Sequence, residues 1–342
     1  MSSDNKIYQE NPHLVQWRET GKSIIKVKGN PPLHPNLIDP EYKFTEDTFP
    51  RTVCHWGQRK LFLTELDFLL KHSKEGDTVI YIGAAPGRHI KYLAELVDDV
   101  SFHLYDRTPF DTRLNAQSNI VLKNMYFDEE TVYDYLDDEE NLYTNEETGE
   151  SKILFLSDIR TADTSNEERH ISELKIANDM QLQKVLYEQL NPRKAHLKFR
   201  LPYLHVKNNP VLRGATTFQY LSGELMIQPF GRRKSTETRL IPDGPGQYTD
   251  WDLQLYSDAM FTHNYKTRVS YYENQFNIPG LDHCYDCTLE KRIWTDYVNM
   301  FLDNSNIKKE VENLSKSLNE YLAGNVKQAY TPLSRPSHYG QD

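Results

Sequence analysis

Three cysteines in 342 residues cannot build a disulfide framework, so Cys54, Cys284 and Cys287 are expected to be thiols of a reducing compartment. A run of about 18 apolar residues is missing, which argues against a membrane-spanning helix. The charged-then-apolar pattern of a secretory leader is missing as well, and a soluble intracellular chain is expected. Around Cys284-Tyr285-Asp286-Cys287, with His283 beside it, there is no second ligand pair, so structural thiols are expected and no metal. Surplus positive charge is absent too: 40 Lys and Arg face 50 Asp and Glu, for a net charge of −10. That balance excludes a protein that coats nucleic acid nonspecifically, because such binding is dominated by phosphate neutralisation.

What is present is unevenly spread. Acidic residues concentrate in Asp137-Asp138-Glu139-Glu140 and Glu146-Glu147, within a polar stretch over 135–151 that reads as a solvated loop. Basic residues gather in two other places, Arg193, Lys194, Lys198 and Arg200, then Arg232, Arg233, Lys234 and Arg239. Two such clusters are expected to form a basic rim around a cleft. Residues 1–50 carry six prolines without clear periodicity and predict an extended arm; 331–342 predict a loose tail.

Between them the pattern alternates. Leu61, Leu63, Leu66, Leu69 and Leu70 predict a helix over 58–70 with Lys60 in its first turn. Thr78-Val79-Ile80-Tyr81-Ile82 predicts a buried strand, broken by Gly83-Ala84-Ala85-Pro86-Gly87 and followed by a helix over 89–97. Further strands are expected at 101–106, 120–123, 152–156, 195–200, 224–228 and 239–241, with a long helix over 167–190 closed by Asn191-Pro192. From Tyr248 onward the aromatic-rich chain is expected to be helical. This rhythm predicts an α/β fold: one Rossmann-like, doubly wound, mostly parallel sheet with flanking helices, a single domain over 51–330.

The glycine loop suits an anionic or dipolar ligand, because backbone amides point outward and glycine permits close approach. Gly87-Arg88-His89 lacks the lysine and hydroxyl of a nucleoside-triphosphate loop. Ala85 stands where the dinucleotide fingerprint has its second glycine, which disfavours NAD without removing it. Tyr81 to Gly87 is similar to the first motif of Rossmann-like methyltransferases, and Asp106, closing the next strand, stands where those enzymes hold the two ribose hydroxyls of S-adenosylmethionine.

Four segments then carry a more specific resemblance: Gly57-Gln58-Arg59-Lys60-Leu61, Phe155-Leu156-Ser157-Asp158-Ile159-Arg160, His196-Leu197-Lys198-Phe199-Arg200 and Ser235-Thr236-Glu237-Thr238-Arg239-Leu240. In this order they resemble the lysine–aspartate–lysine–glutamate segments of cap 2′-O-methyltransferases, above all the poxvirus type that also serves as small regulatory subunit of a poly(A) polymerase. The resemblance implies Lys198 as general base, with Lys60, Asp158 and Glu237 completing a catalytic tetrad. It implies a cofactor site of Gln58, Tyr81, Gly83, Gly87, Asp106, Arg107, Phe127 and Asp158. For cap and RNA it implies Tyr203 and Tyr42 stacking on the cationic methylated guanine, with Arg200, Ser235, Thr236, Glu237 and Arg239 around them. His205 and Ser257 stand where the family has carboxylates, and Asp258 is the substitute candidate. A lysine base must be deprotonated, which desolvation and nearby cations favour. The implied partners are capped mRNA and a polymerase catalytic subunit, in the host cytoplasm or the virion of a large DNA virus. Two other readings stay open: an RNA-binding accessory of a poly(A) polymerase, and methylation away from a cap.

Overall fold

The structure is a computed structural model that describes residues 26–27, 56–137, 142–232, 234–268, 270–273, 275–281, 283–302 and 306–324. Tyr42, Cys54, Arg233, Asp138 to Glu140, the C-terminal tail and all but two residues of the N-terminal arm lie outside the described residues. The chain divides into two compact units, one made of residues up to Lys71, Ile227–Ser235 and the residues from Ala259, the other of His72–Met226 and Thr236–Asp258.

In the first unit, helix α1 (Trp56–His72) starts two residues before the predicted one. Lys60 therefore falls in its second turn rather than its first.

The second unit is built on a seven-stranded sheet. Its strands are β1 (Thr78–Ile82), β2 (Ser101–Tyr105), β3 (Ile120–Lys123), β4 (Ile153–Ser157), β5 (Lys194–Phe199), β7 (Gly223–Met226) and β8 (Thr238–Pro242), with β6 (Thr217–Leu221) outside it. The order is β3-β2-β1-β4-β5-β8-β7. The first five are mutually parallel, β8 runs antiparallel to β5, and β7 runs antiparallel to β8. β1 and β4 are buried along their whole length, as central parallel strands with both faces covered must be, and their sequences are accordingly continuous apolar runs. Helices α2 (Ile90–Leu96), α3 (Glu129–Leu136) and α4 (Arg169–Leu190) make the crossovers. α4 buries Ile176, Met180, Gln183, Leu186, Tyr187 and Leu190, spaced as one helix face requires. It stops at Asn191, which adopts φ 47° as a left-handed cap ahead of Pro192. The strand order reverses at β1 and β4, and in such a sheet ligands bind beyond the carboxyl ends there. This is the Rossmann-like α/β sheet expected from the alternation.

One expectation is corrected. The chain from Tyr248 is not yet helical: β9 (Tyr248–Asp252) pairs antiparallel with β6, Trp251 opposite Phe218. Exposure alternates along β9 with the period of a strand. The Trp251 ring lies 5.1 Å from Phe199 and its Nε1–H donates to the Leu221 carbonyl at 3.1 Å. Helix α5 (Leu253–Thr262) begins only where Asp252 Oδ1 accepts the Leu255 amide at 2.8 Å, an N-cap contact.

Elsewhere in the first unit Lys26–Val27 pairs parallel with Tyr271–Tyr272, and two long helices follow. α6 (Tyr285–Phe301) and α7 (Ile307–Leu322) follow in sequence, and Phe62 of α1 packs on Trp294 of α6 at 5.6 Å. Arg59, 2% exposed, donates to Glu290 Oε2 at 2.9 Å, and Ser315 donates to Oε1 of the same carboxylate at 2.8 Å. Three helices are thus tied by one buried charge pair. Cys284 and Cys287 are buried thiols at the start of α6. Among the described residues no cluster of three or more potential metal ligands occurs, and no helix is long and apolar enough to cross a membrane.

Candidate active site

β1 ends at Ile82, whose carbonyl accepts the Asp158 amide at 3.0 Å. That bond brings the chain after β4 against Gly83, where a Cβ would lie 2.7 Å from the Ile159 nitrogen while φ is +72°. Only glycine meets both conditions. Gly87, at φ +67°, closes the loop. The loop is tied to the next strand: Gly83 N–H donates to the Tyr105 carbonyl at 2.9 Å and Ala85 N–H to Asp106 Oδ2 at 3.1 Å. Thr108 N–H holds the other oxygen, Oδ1, at 2.7 Å. A carboxylate offers about four acceptor positions, so two backbone bonds fix Asp106 and leave lone pairs for a pair of hydroxyls. Beside it Arg107 is exposed, with its guanidinium 4.8 Å from the Tyr126 ring centroid. Phe127 is buried against Tyr105 at 4.9 Å and Phe155 at 6.1 Å, and Tyr81 is buried within β1.

Gly83→Ala should destabilise the chain by about 2–4 kcal/mol, since a left-handed alanine alone costs about 1–2 and the overlap adds to it. Gly57→Ala, at a helical glycine with nothing among the described residues within 4 Å of the added carbon, should instead be neutral or stabilising by up to about 1 kcal/mol. Denaturant unfolding of the pair checks this; equal effects would refute the strained-loop account.

The second cluster forms where β8 runs against β5. Register sets Lys198 opposite Arg239, and two facing cations need carboxylates near them. Asp158, just past β4, supplies one: its Oδ1 accepts Lys198 Nζ at 2.9 Å and Arg239 Nη2 at 2.7 Å. Arg239 Nη1 also donates to the Ser157 carbonyl at 3.0 Å. Glu237, immediately before β8, supplies the other, 3.8 Å from Lys198 Nζ and paired with Arg160 at 3.0 Å. Side chains of Lys198, Asp158 and Glu237 are 12%, 18% and 14% exposed, and that of Arg239 is 1%. Burial alone would lower the Arg239 pKa, but Asp158 and Glu237 outweigh it and hold the group above the ordinary arginine range. Its charge is permanent. Three of the four predicted tetrad residues therefore meet in one unit. Lys60 and Gln58 are carried by α1 in the other unit, where Thr64 Oγ1 donates to the Lys60 carbonyl at 2.6 Å.

His196, two residues before Lys198 and buried, is held well below the ordinary histidine range, first by burial and next by Arg239. Folded His196 thus stays neutral where an unfolded histidine, near pH 6.5, takes up a proton. This stability term is complete above about pH 6.5 and is lost as pH falls below it, with a slope of at most about 1.4 kcal/mol per pH unit. The unfolding midpoint of the native chain should drop between pH 7.5 and 5.5 more steeply than that of His196→Gln. Parallel curves would contradict the assignment.

The residues proposed for cap and RNA are distributed as follows. Arg200 is not on the surface: it is buried, its Nη2 donates to Glu173 Oε1 at 2.7 Å, and its guanidinium lies 4.5 Å from the Tyr203 ring centroid. Tyr203 is half-buried; its hydroxyl accepts from Thr236 Oγ1 at 3.1 Å, and the His205 ring lies 5.0 Å away. Thr236 is fully buried, and its carbonyl accepts the Tyr256 hydroxyl. Asp258 accepts from Gln254 at 2.8 Å on α5. Ser235 belongs to the first unit, its carbonyl held by Asn264 at 2.8 Å.

The model of the poly A polymerase regulatory subunit family matches residues 34–326. The chain belongs to that family. Within the regulatory-subunit match fall the glycine loop, Asp106 and all four tetrad residues. A cap-specific mRNA (nucleoside-2′-O-)-methyltransferase of Myxoma virus (strain Lausanne) is 28% identical over 60% of this chain and 58% of its own length. The protein of the same description from Fowlpox virus (strain NVSL) is 31% identical over 54% of this chain and 57% of its own. The chain thus spans just under three fifths of the length of these relatives. A solved ribosomal RNA methyltransferase from Plasmodium falciparum overlays with a TM-score of 0.30 and 14% identity over 54% of this chain and 95% of its own. So slight a likeness has no bearing on the fold, which rests on strand order.

Arg160, Glu173 and Tyr126 were not among the predicted site residues. Arg160 sits two residues after Asp158 and could have been read as a counter-ion for Glu237. Glu173 gives no local signal, because it lies on a helix far in sequence from both groups it holds.

Proposed function

We propose that this chain transfers a methyl group from S-adenosylmethionine to the ribose 2′-hydroxyl of the first transcribed nucleotide of capped mRNA, converting cap-0 to cap-1. The observation that supports it most is Lys198, set between Asp158 and Glu237 with two guanidiniums behind the carboxylates.

The cofactor site in the second unit would be formed by Gly83, Gly87, Asp106, Arg107, Phe127, Tyr81 and Asp158. The glycine loop and the backbone-fixed Asp106 fit a nucleoside with two vicinal hydroxyls. Bound there, S-adenosylmethionine supplies an electrophilic methyl on a sulfonium. Lys198 would be the base: its neutral amine would take the proton of the attacking hydroxyl and become an ammonium, while the methyl exchanges its bond to sulfur for one to oxygen and the sulfonium leaves as a neutral thioether. Arg160 pairs with Glu237 and Arg239 with Asp158, so both carboxylates beside Lys198 already have a guanidinium partner. A neutral amine would keep an N–H for Asp158 and free its lone pair for the hydroxyl. Lys60, the fourth tetrad member, is assigned a further cationic role by resemblance.

Labelled methyl transfer to cap-0 RNA, cap-1 RNA and uncapped RNA tests the reading. Incorporation should require the cap and a free 2′-hydroxyl; equal labelling of uncapped RNA would instead support methylation away from a cap. The family's own description favours a second role, as regulatory subunit of a poly(A) polymerase. Tail length measured with the catalytic subunit, with and without this chain, tests that role. The setting consistent with both is the host cytoplasm or the virion of a large DNA virus.

A further inference from the structure

Behind Tyr203 lies a buried charge pair that the proposed chemistry does not use. Arg200 immediately follows β5, with its guanidinium over the Tyr203 ring at 4.5 Å. Its partner, Glu173, projects from α4 and divides its two oxygens: Oε1 accepts Arg200 Nη2 at 2.7 Å and Oε2 accepts the Tyr203 backbone amide at 3.0 Å. Both side chains are nearly excluded from solvent, at 8% for Arg200 and 5% for Glu173. From the other side the Tyr203 hydroxyl is fixed by Thr236, and the Tyr203 carbonyl accepts from Asn209 Nδ2 at 3.1 Å. The ring is therefore held at its backbone and at its hydroxyl, with a cation at its face.

This creates an electrostatic problem for a methylated guanine. The base carries a positive charge, and an aromatic ring already facing one guanidinium is a poorer seat for a second cation. Arg200 is too buried for water to screen it, so its field must be cancelled locally. Glu173 is the carboxylate in contact with it. His205 beside the ring is pushed below the ordinary histidine range by burial, then by Arg169, so it adds no charge near neutral pH.

We infer that Glu173 is a positioning and specificity-determining residue, which neutralises Arg200 and fixes Tyr203 so that the ring prefers a cationic, methylated guanine over a neutral one. The inference rests on the cap reading above and adds to it a residue outside the tetrad and outside the stacking pair. A glutamine at 173 keeps the shape and an oxygen for the Tyr203 amide but leaves Arg200 uncancelled.

The test is equilibrium binding of methylated and unmethylated cap dinucleotide analogues to the full chain. The native protein should prefer the methylated analogue, and Glu173→Gln should reduce that ratio about tenfold, the effect of one uncancelled charge at stacking distance in a partly screened site. The double variant Glu173→Met with Arg200→Met, which removes both charges, should keep the ratio, and it decides the matter if Glu173→Gln does not fold. Equal loss of affinity for both analogues in Glu173→Gln, or a lost ratio in the double variant, would overturn the inference while the cap reading stood. No preference in the native protein would reject the cap reading and the inference with it.

Discussion

Lys198→Met should lower methyl transfer to cap-0 RNA by about 10²- to 10⁴-fold, the range of a positioned proton acceptor. Binding of S-adenosylmethionine should persist, because the glycine loop and Asp106 are held by bonds that do not involve Lys198. The fold should also persist: Arg239 remains on Asp158 and Arg160 on Glu237 when the amine is gone, so neither carboxylate loses its last partner. Lys198→Arg should be as inactive as the methionine variant, since a guanidinium keeps charge but holds its proton at every accessible pH. Single-turnover methyl transfer with saturating cofactor separates the chemical step from binding. Turnover by Lys198→Arg within tenfold of the native rate would remove lysine from the role of base.

The second large effect is structural. Arg239→Met should destabilise the second unit by about 3–5 kcal/mol, the usual consequence of removing one member of a buried ion pair. The guanidinium is 1% exposed and spans two acceptors, the Ser157 carbonyl and Asp158 Oδ1, on the chain leaving β4. Without it Asp158 Oδ1 loses the Arg239 bond and keeps the one from Lys198 Nζ. Arg239→Lys should recover little, because one ammonium does not reproduce the two-pronged geometry. Denaturant unfolding and methyl transfer measured on the same preparations check both statements. A destabilisation below about 1 kcal/mol for Arg239→Met would place this pair among surface salt bridges of small effect.

Much of the architecture was legible from residues alone because the signals are local. Thr78 to Ile82 is rich in β-branched and apolar residues, and Gly83 begins a glycine-bounded loop that breaks the run, so strand and loop follow directly. Asn191-Pro192 ended α4 where expected for the same reason. β9 was missed because Tyr248 to Asp252 is short, polar at alternate positions and followed at once by a helix. Its strand character comes from pairing with β6, a partner about thirty residues away in sequence. Arg239 and Arg200 stand in the two basic clusters expected to rim a cleft. Both are buried and already committed, Arg239 to Asp158 and Arg200 to Glu173.

By itself the sequence determined the strand-and-helix rhythm and the glycine loop with its closing Asp106, because each depends on neighbours in the chain. Only the tertiary structure decided that Arg239 stands opposite Lys198, that Arg160 balances Glu237, and that Glu173 lies behind Tyr203. The last two pairings join residues 77 and 30 positions apart. Their strength depends on distance through a poorly screening interior, a quantity set by strand order and register and not by spacing along the chain.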